Sequence, residues 1–580
     1  MRERILQGRL RPGAYHDSGT LMRLARALEA WPGIRRAAAV MCTPRNLETL
    51  ARMGLAPPVW TAPPKPDDLF VVVDALSAEE ATEALEQIDT LFADLHATDP
   101  SRLTQPTPPR TLGEALARLP AARLALVSVP GEHAAREART ALDAGLDVML
   151  FSDGVSLDDE VALKEHATAS GRLVLGPGCG AALLDGVPLG FANAVRRGTI
   201  GVLGASGADL QAVSCLVHRH GGGISHGLAA GSRDLRPEVG GRTTLGALAR
   251  LADDPATRVL VLLGRQADPT VASRVLDRAV ATGRPVVACF LGPHDLADRP
   301  GVTFASTLEE AAHLAAALAG HPPTLDPEPA PTRPLPASGA PLLRALFLDA
   351  TLATEALSLL SPTLALGSNV SFPGAADTLS LRYPGHSVLS LGEEDFTRGR
   401  PHPILDPSLR NTALRIASDD PRVAVILFDL VLGSAVPPDP AGDLVPVLRS
   451  MRAAASRRGA SLALVASATG TDDDPQARSR QVVTLTAEGV EICPSSAAAV
   501  RRAAALLSAE IAPTRCLDTP ATPRSDEAPE PAEVFGIHRG VITLGLDVFA
   551  QSLRDHDLPV VALNWRPPTA ASPSLPTPEA

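Results

Sequence analysis

The chain has 580 residues, 53 basic against 65 acidic side chains for a net charge of −12, and 45% hydrophobic residues. At roughly 100–200 residues per domain it should hold about three to five units. Without a Lys/Arg block it does not read as a nucleic-acid binder, since displacing counterions takes concentrated positive charge, and no apolar run of about 18 residues or hydrophobic leader marks a membrane segment.

Six cysteines, Cys42, Cys179, Cys215, Cys289, Cys493 and Cys516, lie far apart without a Cys-x-x-Cys pair. That suggests neither a disulfide scaffold nor a zinc ribbon, and it fits a reducing cytoplasm. The only two lysines, Lys65 and Lys164, stand outside any Gly-x-x-x-x-Gly-Lys-Ser/Thr, so there is no Walker A loop. Phosphate would have to be held by backbone N–H groups or arginine. Proline clusters at 100–110, 322–341, 513–531 and 566–580 read as linkers or tails.

In chain order, residues 1–98 show a helical pattern in Leu21, Leu24, Leu28 and Trp31, extended runs at Arg36–Met41 and Asp68–Ala75, and a helix from Ser77. This predicts a small ferredoxin-like or ACT-like α+β unit. Residues 111–198 alternate strand and helix as half of a Rossmann-type domain, with strands at Arg123–Val129, Asp147–Ser152 and Arg172–Leu175. Residues 199–320 repeat that logic with strands at Thr199–Leu203, Val259–Leu263 and Pro285–Phe290. After the 321–341 linker, residues 342–510 give a second version of the unit, with strands at Ala345–Leu348, Ala424–Asp429 and Leu462–Val465. A 511–533 linker leads to a small element at 534–568, with strands at Val541–Leu544 and Pro559–Leu563 around a helix. The predicted fold class is α/β.

Gly204-Ala-Ser-Gly207 ends a strand just where a helix begins, an arrangement in which amides of Ser206, Gly207 and Ala208 converge on an anion. Gly231, Asp234, Gly240 and Gly241 belong to a glycine-rich stretch where backbone turns sharply or approaches a ligand. Nearby His218, His220 and His226 are candidates for metal or phosphoryl chemistry, but no His-Glu-x-x-His or carboxylate-paired spacing supports a metal, and none is expected. The charged run Glu393-Glu-Asp395, followed by Arg398, Arg400 and His402, could form a site for a polar substrate or a solvated loop. Cys179 reads as a buried structural thiol, because no base stands beside it.

Val127-Ser-Val-Pro130, Phe151-Ser-Asp-Gly154, Leu175-Gly-Pro-Gly-Cys179 and Ile200-Gly-Val-Leu-Gly-Ala-Ser-Gly207 resemble the CoA-binding and ligase domains of the succinyl-CoA synthetase α subunit. Ile426-Leu-Phe-Asp-Leu-Val-Leu-Gly433 looks like the ligase domain of the β subunit. Their fusion, with Gly231-Ser-Arg-Asp-Leu235, Glu238-Val-Gly-Gly241, Arg398-Gly-Arg-Pro-His-Pro403 and Asp406-Pro-Ser-Leu-Arg410, resembles the FdrA family over roughly residues 1–510. The tail from Val541 to Pro568 resembles a segment that recurs in neighbouring proteins, which implies partner subunits.

The resemblance implies tandem domains: a ferredoxin/ACT-like unit (1–98), a Rossmann-type CoA-binding domain (111–198) and two flavodoxin-like CoA-ligase domains (199–320 and 342–510). It implies an acyl-CoA synthetase, with CoA or phosphate at the glycine loops. Relatives are also linked to ureide breakdown, as a subunit of a carbamoyltransferase that moves a carbamoyl group from oxalurate to phosphate. Either way the substrate is a small acyl or carbamoyl compound. Arg233 with Arg398 or Arg400 would neutralise charge on the transferring oxygens, and His402 would act as acid or base. Several family features are missing: the ATP-grasp domain, so ATP is not expected on this chain; the Gly-His-Ala-Gly phosphohistidine loop, where Leu291-Gly-Pro-His294 stands; and the β-type glycine loop, replaced by Gly392-Glu-Glu-Asp395. These losses support the competing expectation of a non-catalytic scaffold with a regulatory ligand at its front end.

Overall fold

The computed structural model describes residues 5–56, 63–97, 108–322, 341–397, 402–509, 511 and 533–567. Most of each proline-rich linker, and Arg398 and Arg400, lie outside the described residues. Among those described, no helix is long and apolar enough to cross a membrane.

The N-terminal unit is an antiparallel sheet in the order Ile5–Arg11, Leu69–Ala75, Ile34–Met41. Its centre strand is buried along its whole length, and its side chains alternate between two cores. Leu69, Val71 and Val73 pack with Leu21, Leu24 and Leu28 on one face, while Phe70 and Val72 meet Leu50 and Leu55 on the other. Asp17, Thr43 and Ser77 cap the helices that follow them. The edge strand Ile5–Arg11 was not anticipated, because Gly8 and its charges hide the alternation. A side chain at position 8 would run into the Phe70 ring.

A second sheet is wholly parallel, ordered Val560–Leu563, Val541–Leu544, Leu124–Val127, Asp147–Leu150, Val174–Leu175. The C-terminal segment is therefore not a separate element. It supplies two of the five strands, and Ile542, Leu544, Leu563 and Trp565 share a core with Ala125, Val127 and Val148. Ser128 fastens it, donating from its hydroxyl to the Leu544 carbonyl at 2.9 Å and accepting from the Leu546 amide at 2.8 Å.

The third sheet runs Val302–Phe304, Val286–Leu291, Val259–Arg265, Arg197–Gly204, Ile224–Ala229, then the hairpin Ala181–Leu184/Val187–Gly190. The hairpin falls before position 199, yet it pairs with Ile224–Ala229. Its turn is Asp185-Gly186, with φ of 48° and 86°, the left-handed pair that a two-residue hairpin demands. The fourth sheet is parallel and runs Ala376–Asp377, Leu366–Ser368, His386–Ser390, Leu342–Phe347, Val423–Val431, Ala463–Thr469, Val490–Cys493. The third and fourth sheets share one core, in which Val202, Leu210 and Val213 meet Leu352, Ala356 and Leu357. The helices Gly207–Arg219 and Ala350–Leu360 lie between them.

Candidate functional site

Those two helices begin at the carboxyl ends of Arg197–Gly204 and Leu342–Phe347, where open parallel sheets bind ligands. Their first turns touch: the Ser206 and Thr351 hydroxyls are 2.9 Å apart. Ser206 and Asp349 are the respective caps.

The expected anion cradle is already occupied by a carboxyl group that belongs to the chain. Asp209, fully buried, folds back so that its carboxylate accepts from the Ala205 amide at 2.9 Å and the Ser206 amide at 3.2 Å. The Ser206 side chain in turn caps the Asp209 amide, completing a capping box. Gly204 permits this, since a Cβ there would sit 2.4 Å from the Asp209 Oδ1. Gly207 packs at similarly close range on the Ala181 amide, and Ala208 occupies the next position of the same first turn. The Ser206 amide is thus unavailable to phosphate unless Asp209 moves. The signal was in the sequence: Ser206 and Asp209 have the spacing of a capping box, which the glycines overshadowed. Burial, then the nearby Asp349, pushes the Asp209 carboxyl up to about 7.

The glycine-rich stretch is also structural. Asp234 accepts from Lys164 Nζ at 2.9 Å and from the Thr243 and Thr244 amides, fixing the start of the Arg242–Asp253 helix. Lys164 also donates to Glu160 at 2.8 Å and to the Ala230 carbonyl at 2.9 Å. Arg233 contacts Glu160 at 2.6 Å and donates to the Val155 carbonyl. A Cβ on Gly231 would lie 2.7 Å from the Gly176 carbonyl oxygen. Gly240 and Gly241 both have φ of 71° and form the turn into the next helix. His226 is buried, accepting from the Asp185 amide, while His218 accepts from the Arg196 amide. Cys179 is buried and its thiol is pushed up to about 12, so it is no nucleophile.

What gathers at the strand ends, where open parallel sheets form their crevice, is a cluster of carboxylates that influence one another. Asp153, just after strand Asp147–Leu150, is solvent-exposed although many protein groups crowd around its carboxyl. Its surroundings, with burial first and then Glu393, Glu394 and Asp349, raise it to about 6, while Arg233 opposes the shift. Glu393 is raised by burial and by Asp349, Asp395 and Glu394, with Arg265 opposing. Arg265, at the end of its strand, lies 3.9 Å from Glu393 and has a buried Nε without a hydrogen-bond partner. His402 sits against Gly392, where a Cβ would come within 2.1 Å of the Leu348 carbonyl oxygen and 2.8 Å of His402 Nε2. Burial lowers His402 to about 4, so the ring is neutral at pH 7. Its Nδ1 accepts from the Ile404 amide, which places the remaining proton on Nε2. Asp153 and Arg265 were not singled out from the sequence. Their visible mark is only their position just after, or at the end of, a buried apolar strand.

This fold and crevice define an α/β protein with a CoA-ligase domain: residues 346–506 match the family described as CoA-ligase, and residues 4–108 match the one described as AllF, heavy metal-associated domain. The chain belongs to the family of the uncharacterized protein YahF of Escherichia coli (strain K12), to which it is 36% identical over 498 residues, 84% of this chain and 96% of YahF. Among solved structures it overlaps the apo dinucleotide-forming acetyl-coenzyme A synthetase 1 of Ca. Korarchaeum cryptofilum, with 16% identity over 66% of this chain and 82% of that one. It also overlaps the ATP citrate lyase of Methanothrix soehngenii in complex with citrate and coenzyme A, with 20% identity over 36% and 37%. Both TM-scores are 0.28, too low for the likeness to carry weight.

In the N-terminal unit Cys42 is buried with its thiol pushed up to about 12, and His16 stacks on Phe92 at 4.2 Å. Among the described residues no group of three His, Cys, Asp or Glu could hold a metal. The pyrophosphate of CoA does not fit at the Gly204–Gly207 turn, where Asp209 takes up the Ala205 and Ser206 amides.

Proposed function

We propose that the chain is a subunit of an acyl- or carbamoyl-transferring enzyme of the CoA-ligase superfamily, with its reaction crevice at Asp153, Asp349, Glu393, Arg265 and His402. Of the two chemistries, carbamoyl transfer from oxalurate to phosphate fits better. The observation that carries this is Asp153, a carboxyl near neutrality in a crevice whose other carboxylates disfavour a tightly held polyphosphate. In that reaction a phosphate oxygen attacks the terminal carbamoyl carbon of oxalurate and the bond to the oxamate nitrogen breaks. The leaving nitrogen needs a proton. Asp153 gives it and recovers one from the attacking hydrogen phosphate, so that oxamate and carbamoyl phosphate leave with atoms and charge balanced. Arg265 holds an anionic oxygen of substrate or phosphate, and Arg398 and Arg400 are proposed to join it. The neutral His402 donates from Nε2. The match of the N-terminal residues to an AllF module supports this ureide reading.

A second reading, an FdrA-type acyl-CoA synthetase, is favoured by the CoA-ligase match over residues 346–506. The test is phosphate-dependent release of oxamate from oxalurate by the chain purified with its bound subunits. Turnover lost in Asp153→Asn with the assembly intact supports the proposal. CoA-dependent acyl transfer instead would select the second reading, and unchanged turnover in Asp153→Asn would leave the chain a scaffold.

A further inference from the structure

A cavity of about 530 Å³ lies where four stretches distant in sequence meet, one of them contributing Leu405 alone. Its walls are the Ser18–Glu29 helix of the N-terminal unit, the Asp547–Arg554 helix of the C-terminal segment, and the loop at 434–438 after strand Val423–Val431. The volume is in the range of small-molecule sites, roughly 300–1,000 Å³. It also lies beside the topological switch point of the second sheet, where the order reverses between Val541–Leu544 and Leu124–Val127. The strand ends themselves are closed by Ser128, and the space begins at Leu546.

The charges in this cavity are not balanced internally. Arg23, Arg26 and Arg554 face it together with Asp17 and Asp547. Asp17 is committed to its own helix, accepting from the Thr20 amide at 3.0 Å and the Thr20 hydroxyl at 2.6 Å. Arg26 is committed to the segment bearing His402, donating to the Leu405 carbonyl at 3.4 Å and lying 3.7 Å from Asp406. Arg23 and Arg554 make no hydrogen bond or ion pair among the described residues. They stand on different helices of the lining, with Met22, Val436 and Leu546 as apolar surface of the same cavity.

We propose that this cavity is a binding site for a small organic carboxylate, clamped between Arg23 and Arg554 with its carbon skeleton on the apolar wall. Two guanidiniums without partners set the charge of the guest, because arginine recognises carboxylate through paired donors. The volume calls for a guest larger than a bare inorganic anion. Bound there, the carboxylate would tie the N-terminal unit to the C-terminal segment and press on Leu405, which shares a short segment with His402. This goes beyond the reaction proposed above and does not depend on it.

The test uses the full chain with succinate and inorganic phosphate as probes, titrated calorimetrically, while modification of arginine by p-hydroxyphenylglyoxal is located by mass spectrometry. Succinate is expected to bind and to protect Arg23 and Arg554. Arg23→Gln and Arg554→Gln should each weaken it at least about tenfold. Neither side chain has a protein partner to lose, so both variants should fold. Arg382→Gln, at an exposed ion pair with Asp419, should leave binding unchanged, and so should Asp153→Asn, which separates this site from the reaction crevice. Failure of succinate to bind, binding indifferent to both arginine variants, or protection by phosphate alone would each overturn the proposal.

Discussion

The Ser206 hydroxyl meets the Thr351 hydroxyl at 2.9 Å, joining the first turns of helices from two different sheets. One short contact thus links two halves that lie far apart in sequence. Ser206→Ala removes this bond together with a helix cap, and should destabilise the protein by about 1–2 kcal/mol. The phosphate KM of the assembled enzyme should stay within a few-fold, since Asp209 and not phosphate occupies the Ser206 amide. Urea unfolding and steady-state kinetics on the same preparation check both halves, and a large rise in KM would restore the anion cradle.

Asp209 also gives stability a pH dependence of defined sign. Its carboxyl is held at about 7 in the folded chain against an ordinary 3.8, so between these values the folded state keeps a proton that the unfolded state has lost. Stability therefore falls as pH rises from about 4 to about 7 and loses nothing further above that. The buried Asp429 and Glu355, each held at about 7, act in the same direction. Asp209→Asn should flatten the slope by up to about 1.4 kcal/mol per pH unit. Urea midpoints measured from pH 4 to 8 read it, and an unchanged slope would mean that Asp209 is ionised throughout.

Much of the architecture was legible because it is written locally. The runs Val259–Leu263 and Val423–Phe428 are unbroken apolar stretches, and Ser77 announces the helix that follows it through its cap. The site was less legible because its chemistry is not local. Asp153, Arg265 and Asp349 come from three different sheets, and nothing beside any of them in the chain signals the others. The glycine run 204–207 looked like a ligand loop because glycine serves equally well for close approach by a protein side chain, here Asp209. The hairpin at 181–190 was missed even though Asp185-Gly186 is a strong turn signal between two apolar runs.

Lys164 should prove structurally indispensable despite its distance from any reaction. It is buried between Glu160 and Asp234, at 2.8 and 2.9 Å. Lys164→Met leaves the buried Asp234 without its cation and Glu160 with Arg233 alone, a loss of about 3–5 kcal/mol. Asp234 would also hold the Thr243 and Thr244 amides less firmly. Urea unfolding should show the loss, and a change below about 1 kcal/mol would mean the network is solvated.

Asp153 should govern the pH profile of turnover. As the acid it must carry its proton, so kcat/KM should fall as pH rises through about 6, the value its surroundings impose. Asp153→Asn should remove that limb and lower turnover by about 10²–10⁴-fold. A profile unchanged in the variant would assign the limb to another group, Glu393 being the nearest candidate, since burial and neighbouring carboxylates raise it too.

The C-terminal segment should be required for the second sheet to form at all. Val541–Leu544 pairs along its whole length with Leu124–Val127, and the Ser128 amide and hydroxyl both reach Leu544. A chain ending at residue 532 would expose the edge of Leu124–Val127, a wholly buried apolar strand, and strip Ile542, Leu544, Leu563 and Trp565 from its core. Such an edge is a template for aggregation. The truncated chain should therefore be recovered as aggregate, whereas co-expression with a peptide of residues 533–567 should restore a folded complex by strand addition. Deletion removes the Arg554 wall of the interdomain cavity as well, so succinate binding should vanish in the truncated chain and return with the peptide. A truncated chain that is monomeric and as stable as the full chain would show that the first three strands of that sheet suffice.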